Sequence, residues 1–353
     1  MENWFSKGIQ SWYNKNKRDL PWRNQTNPYR IWLSEIILQQ TQVKQGMSYY
    51  LKFVKNYPTV KHLANSSEDK ILKDWQGLGY YSRARNMLFA AKSIVKGRKG
   101  EFPNTYKEIK MLKGVGEYTA SAISSFAFNL PHAVVDGNVY RLLSRVYGIN
   151  TPIDSGDGKK KFQSLANELL DTNNPALHNQ AIMEFGSQFC KPANPNCDNC
   201  IFSNKCYAFG ANMVGQLPVK SKKINVVNRY FNYLILVDKN KNIIVNKRAE
   251  KDIWKGLFEF FLIESSGEIE PKQLFEMEQF KKATGKNFSV LNISKKYKHV
   301  LTHQNLHTKF YIIKLNLTHP KSQKFSKTNK LSQYAFPRLI EIFLSDCKLN
   351  EFF

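Results

Sequence analysis

Residues 111–128, MLKGVGEYTASAISSFAF, set Gly114 and Gly116 between one helical pattern, TYKEIKML (105–112), and a second that begins near Glu117. Apolar residues at three- and four-residue spacing on both sides predict two helices joined by a tight Gly-x-Gly turn. A turn of this kind at a helix start leaves backbone N–H groups able to face an anion, and the helix dipole adds to the attraction. Taken alone, it is equally a plain connection between helices.

Working outward, AVVDGNVYRLLSRVYG follows, with Asp136 twenty residues beyond Gly116 and directly before a helical pattern. The structural reading of Asp136 is an N-cap. Capping does not exclude chemistry: hydrogen bonds to the ionised form are expected to hold its pKa down and keep it charged. Upstream, IWLSEIILQQTQV (31–43) places Glu35 in a run that is apolar most of the way round a helix, so this carboxyl is expected to face protein, not water. Burial raises a carboxyl's pKa, so Glu35 and Asp136 have the contrasting environments of an acid/base pair.

Four of the five cysteines lie in one polar stretch, Cys190, Cys197, Cys200 and Cys206, spaced C-x6-C-x2-C-x5-C. Four thiolates so spaced can close around zinc or a four-iron cluster, and spacing alone does not separate the two. Cys347 stands apart and is expected to be a structural thiol. This is a poor disulfide framework and suits a reducing, cytoplasmic setting. Fifty-three Lys and Arg against 28 Asp and Glu give a formal charge of +25, which favours a polyanionic partner. No apolar run approaches the ~18 residues of a membrane helix, so no membrane role is expected.

The pattern is helical to about Phe209. From about Val226, β-branched and alternating runs such as NRYFNYLILV and HTKFYIIKLNL predict strands, with helices at PKQLFEMEQFKK and SQYAFPRLIEIFLSDC. The expected division is a helical domain 1–209, a Gly-, Pro- and Lys-rich linker 210–226, and an α/β or α+β domain 227–353. Between Gln279 and Ile340 there is no Asp or Glu, while Lys, Arg and His recur among aromatics. A face touching phosphates has this composition.

The motifs LKGVGEYTA, VVDGNV and the four cysteines, in that order, resemble the base-excision DNA glycosylases of the endonuclease III superfamily. With SEIILQQTQV and GLGYYSRARN added, the chain resembles the A/G-specific adenine glycosylases of MutY type, almost end to end. The resemblance implies a multidomain protein: an all-α helix-hairpin-helix domain with a [4Fe-4S] loop, and a Nudix-like C-terminal domain. It implies excision of adenine opposite 8-oxoguanine or guanine in double-stranded DNA by a monomer acting in the cytoplasm. Glu35 would protonate the base and Asp136 would stabilise the sugar cation. Tyr118 would hydrogen-bond near Asp136, and Asn138 would position the attacking water. Superfamily members that also cut the strand carry lysine where this chain has Tyr118, so a monofunctional enzyme is implied.

By the same resemblance, the base leaves the duplex and meets Arg18 and Trp22 of RDLPWR and Glu184 of NQAIMEFG. Gln39, Gln40 and Thr41 would enter the gap, Tyr80 would intercalate, and Gly114 and Gly116 would hold the backbone. WKGLFEFFLI resembles the Nudix fold, but the acidic Nudix box is absent. In YKHVLTHQNLH, Leu301, Thr302 and His303 fall on the Phe-Ser-His loop that reads 8-oxoguanine in this family; Thr302 keeps the hydroxyl and Leu301 loses the aromatic ring. Two other classes compete: a bifunctional endonuclease III-like glycosylase/lyase, and a non-catalytic DNA-binding protein with a four-cysteine zinc site.

Overall fold

The computed structural model describes residues 4–221, 225–248, 252–316, 325–347 and 349–352. Residues 222–224 of the expected linker lie outside them. By packing, the chain divides into one unit of residues 1–65 and 86–222 and a second of residues 66–85 and 223–353. No described helix is long and apolar enough to cross a membrane.

The first unit is helical. Its core gathers Phe5, Ile9 and Tyr13 of the Trp4–Asn16 helix, Val139, Leu142, Leu143 and Val146 of the Gly137–Tyr147 helix, and Ala181, Ile182 and Phe185 of the Pro175–Gln188 helix. The helix Pro28–Leu38 starts where the Asn27 side chain accepts the Arg30 N–H and Pro28 takes the first helical position. It buries Tyr29 and every residue from Ile31 to Ile37, including Glu35, as its nearly all-apolar circumference requires. The helix Glu117–Phe128 begins at Gly116, and Gly114 before it has φ +83°. A Cβ on Gly114 would stand 2.7 Å from Asn86 Cβ, so both conformation and space select glycine there.

Among the described residues, the second unit is built on a seven-stranded mixed sheet. Its long strand Val227–Val237 pairs in parallel with Gln304–Leu315 and antiparallel with Phe261–Ser265 and Asn242–Ile244. Alternation along that strand sends Phe231, Tyr233, Ile235 and Val237 into one core and Leu234 and Leu236 into another. The first core is closed by Leu339, Ile340 and Phe343 of the helix Arg338–Asp346, the second by Leu274 and Phe280 of the helices Pro271–Glu276 and Glu278–Thr284. Burial on both faces explains the continuous apolar run in this strand. The helix Glu68–Trp75 joins this unit through Lys247 Nζ to Asp69 Oδ1 at 2.5 Å, Lys73 Nζ to Tyr334 O at 2.9 Å, and a Gln76–Glu341 hydrogen bond.

Candidate active site

A cavity of about 760 Å³ in the first unit is lined by Glu35, Tyr118, Asp136 and Asn138, by Arg18, Trp22 and Glu184, and by Gln39, Gln40 and Thr41. Ten sequence-selected residues thus meet in one place although they come from five separate stretches of chain. Tyr80, Leu301, Thr302 and His303 belong to the second unit, and Gly114 and Gly116 lie off the cavity wall.

Glu35 is 7% exposed. Burial pushes its carboxyl up to about 7; the Tyr118 hydroxyl, donating to Glu35 Oε2 at 3.0 Å, pulls it back, and the nearby charge of Asp136 pushes it up again. The hydroxyl of Tyr118 therefore serves Glu35, and Asp136 is close enough for its charge to act on the same phenol. The phenol's own pKa is raised well above the usual range, by burial first and then by the two acids, so it stays a donor.

Asp136 is the N-cap of the Gly137–Tyr147 helix. Its Oδ1 accepts the N–H groups of Asn138 at 2.9 Å and Val139 at 2.8 Å, and its Oδ2 accepts Asn138 Nδ2 at 2.8 Å. The expectation that these bonds hold its pKa below the ordinary value is corrected by the structure. Burial outweighs them together with the Arg141 charge, and the net shift is upward. The surroundings of the two acids still differ: Asp136 has three N–H donors and a cation nearby, Glu35 a single hydroxyl donor. Asn138 is itself fixed, because Arg141 Nη2 donates to its Oδ1 at 2.9 Å.

Glu184, 1% exposed, is clamped by two arginines. Arg18 makes a fork, Nε to Oε1 at 2.7 Å and Nη2 to Oε2 at 2.6 Å, and Arg23 Nη2 donates to Oε2 at 2.6 Å. Burial alone would push the carboxyl up, but these charged bonds outweigh it and hold the pKa at about 2. Arg23 escaped the sequence reading; the available signal was a second arginine closing the RDLPWR motif. Trp22 stands edge-on to Tyr50, with ring centroids 5.2 Å apart. Beyond Leu38 the chain turns sharply. Gln40 takes φ +54°, and Gln39 Nε2 donates to the buried Thr119 Oγ1 at 3.0 Å, a second partner the sequence did not single out.

The four cysteines of the 190–206 stretch are free thiols that line one small cavity beside Arg145, whose Nη1 approaches Cys190 Sγ at 3.5 Å. Burial pushes the Cys200 thiol up to about 11; the Phe202 N–H opposes this and the neighbouring cysteines add to it. A donor set of four crowded sulfurs with an adjacent cation fits a thiolate-bound metal group, whose own positive charge would relieve that cost. Among the described residues, no three His, Cys, Asp or Glu side chains are placed to hold a single metal ion.

In the second unit, Thr302 and His303 form the two-residue tip of a hairpin between strands Tyr297–Val300 and Gln304–Leu315, closed by Leu301 N to Gln304 O at 2.8 Å. Both tip side chains are exposed. Leu301 packs against the sheet core. Thr302 Oγ1 lies 2.7 Å from Tyr80 Oη.

Residues 33–170 match the model of the HhH-GPD superfamily of base excision DNA repair proteins, and residues 232–346 match the NUDIX domain model. The chain is 35% identical over 335 residues to the adenine DNA glycosylase of Buchnera aphidicola subsp. Baizongia pistaciae (strain Bp), covering 94% of this chain and 90% of that protein. Among solved structures, a thermostable thymine-DNA glycosylase superposes with TM-score 0.55 at 29% identity, covering 59% of this chain and 95% of that one. A non-covalent endonuclease III–DNA complex superposes with TM-score 0.52 at 19% identity, over 60% and 95% of the two chains, and shares the fold. The full-length match to that first relative, with both domain models in the same order, establishes that the chain belongs to the adenine DNA glycosylase family of the HhH-GPD superfamily.

Proposed function

We propose that this protein releases adenine from duplex DNA where adenine faces 8-oxoguanine or guanine, as a monofunctional glycosylase acting in the cytoplasm. The observation that carries this is the pair of acids on one cavity wall: Glu35, with a pKa of about 7, and Asp136, held by three N–H donors. An adenine turned out of the stack enters the cavity, where Glu35 gives its proton to a ring nitrogen as the C1′–N bond breaks and the bonding electrons leave with the base. Ionised Asp136 faces the positive charge that develops on the sugar. Water held by Asn138 attacks C1′ and its proton passes to the ionised Glu35, which restores the starting state. No lysine occupies position 118 to form a Schiff base, and Tyr118 instead tunes Glu35.

Arg18 and Glu184 present fixed polar groups to the base, Trp22 offers a ring, and Gln39, Gln40 and Thr41 occupy the space the base leaves. In the second unit, Tyr80 enters the stack and Thr302 and His303 contact the opposite base. The division into domains 1–209 and 227–353, with a linker 210–226, and action as a monomer belong to the same proposal. Cys190, Cys197, Cys200 and Cys206, which line one cavity without three of them being placed to hold a single ion, would hold a [4Fe-4S] cluster. Bound there, it would tie the 190–206 stretch to Arg145 and the Gly137–Tyr147 helix.

A single-turnover assay on duplexes carrying adenine opposite 8-oxoguanine, run beside Glu35→Gln, tests the reading. Wild type is expected to release adenine without cutting the strand, and the variant to lose about a hundredfold or more. Full release by the Gln variant, or none by wild type, overturns it.

A further inference from the structure

The turn formed by residues 77–81 is clamped from within. Trp75 Nε1 donates to Gly79 O at 3.0 Å, and Gly77 N donates to Tyr81 Oη at 3.3 Å. Arg83, at the start of the helix Ser82–Arg98, reaches back along the chain. Its Nη2 donates to Leu78 O at 3.3 Å and to Gly79 O at 3.2 Å, while its guanidinium lies over the Trp75 ring at 5.0 Å and the Tyr80 ring at 5.9 Å. Within the turn stands Tyr80, at φ +45° and 49% exposed. A bulky residue in the left-handed region is strained, and such strain persists only where the surroundings enforce it.

Arg83 is unlike an arginine that faces phosphate. Burial lowers its pKa to about 10, and its Nη2 is directed at two main-chain carbonyls. We propose that Arg83 is the positioning residue for Tyr80: it holds the Leu78 and Gly79 carbonyls and backs the Tyr80 ring, so that the ring projects ready to enter the base stack. The flat guanidinium that lies over both the Trp75 and Tyr80 rings while donating to the carbonyls is required, and lysine does not supply it. This inference rests on the reading of Tyr80 as an intercalating residue.

The test is a double-mutant cycle in full-length protein, read as single-turnover adenine release from duplexes with adenine opposite 8-oxoguanine. Tyr80→Ala and Arg83→Gln are each expected to slow release about tenfold, the scale of one lost base–aromatic stack. The double variant should be no slower than Tyr80→Ala, Arg83→Lys should not rescue, and the salt dependence of DNA affinity should keep its slope. Multiplying effects would overturn the proposal. So would rescue by Arg83→Lys with a salt slope reduced by about one in Arg83→Gln, the mark of a lost phosphate contact. If Arg83→Gln does not fold, a folded Arg83→Lys releasing adenine at the wild-type rate has the same overturning force. Unchanged release by Tyr80→Ala would remove the reading of Tyr80 and this proposal with it; a slowed Tyr80→Ala with additive Arg83 effects would remove only the proposal.

Discussion

Tyr118 Oη donates to Glu35 Oε2 at 3.0 Å across the cavity wall, linking a phenol to the carboxyl proposed to protonate the base. The bond favours the ionised carboxylate and so opposes the effect of burial. Removing it in Tyr118→Phe should push the Glu35 pKa above about 7. The alkaline limb of the single-turnover rate profile is then expected to move to higher pH. An unmoved limb would mean that another group titrates.

The charge on Glu35 also sets a stability trend. Because its folded pKa lies above the ordinary carboxyl value, the folded state holds a proton that the unfolded chain releases. Stability is therefore lost as pH rises from that ordinary range through about 7. Glu35→Gln has no such group. Its melting temperature should exceed that of wild type by a margin that widens from pH 5 to pH 8 and corresponds to at most about 3 kcal/mol. A constant margin in thermal melts would contradict the burial argument.

Much of this arrangement was legible in the chain itself, and the reasons are physical. A carboxylate within IWLSEIILQ has no polar helix face to occupy, so burial of Glu35 follows from periodicity alone. Asp136 before an amphipathic helix reads as a cap for a similar reason, and the cap is present. The sign of its pKa shift was not legible, because that depends on how much protein surrounds the cap, a quantity local sequence does not carry. Arg23 was missed because an ion pair between residues 161 positions apart leaves no spacing signal. The packing of the Glu68–Trp75 helix with the sheet-bearing unit was hidden in the same way, since Asp69, Lys73 and Gln76 look like ordinary solvated residues of a short helix.

Arg23 offers a third prediction. Glu184 is buried and ionised with two cationic partners, so deleting one leaves its charge undercompensated. Arg23→Ala should cost about 2 to 3 kcal/mol in urea unfolding at pH 7. Glu184 has a folded pKa lowered to about 2, so the stability it contributes is present above the ordinary carboxyl range and lost as pH falls toward 2. The difference between wild type and Arg23→Ala should shrink on acidification over that range. A difference independent of pH would show that packing of Arg23 against the Tyr13 ring, 5.5 Å away, accounts for the loss.

The cysteine cavity gives a fourth. The Gly137–Tyr147 helix bears both Arg145, which donates to Lys191 O at 2.7 Å and to Pro192 O at 3.1 Å, and the N-cap Asp136. The 190–206 stretch is thereby tied to the element that positions the sugar-facing acid. Cys200→Ser should remove the visible absorption and about four irons per chain expected of the proposed cluster. It should also lower melting temperature and weaken DNA binding more than it alters the pH at which Glu35 titrates, because no cluster ligand touches that carboxyl. Stoichiometric zinc in purified wild type, with no iron and no visible band, would replace the cluster with a single-metal site.

The last prediction concerns the hairpin tip. Leu301 is packed against the sheet core while Thr302 and His303 are exposed, and the Thr302 hydroxyl sits 2.7 Å from that of Tyr80. If Thr302 reads the base opposite adenine, its contribution is one hydrogen bond to a lesion atom that guanine lacks, about 0.5 to 1.5 kcal/mol. Thr302→Ala should then lower affinity for 8-oxoguanine:adenine duplexes by roughly two- to tenfold, with little change for guanine:adenine. Leu301→Phe, which restores the aromatic ring that the family resemblance expects, should not increase the preference, since the residue at 301 packs against the sheet core. Equal losses on both duplexes for Thr302→Ala would assign the threonine to holding Tyr80. A gain in preference from Leu301→Phe would show that the hairpin rearranges on DNA to expose position 301.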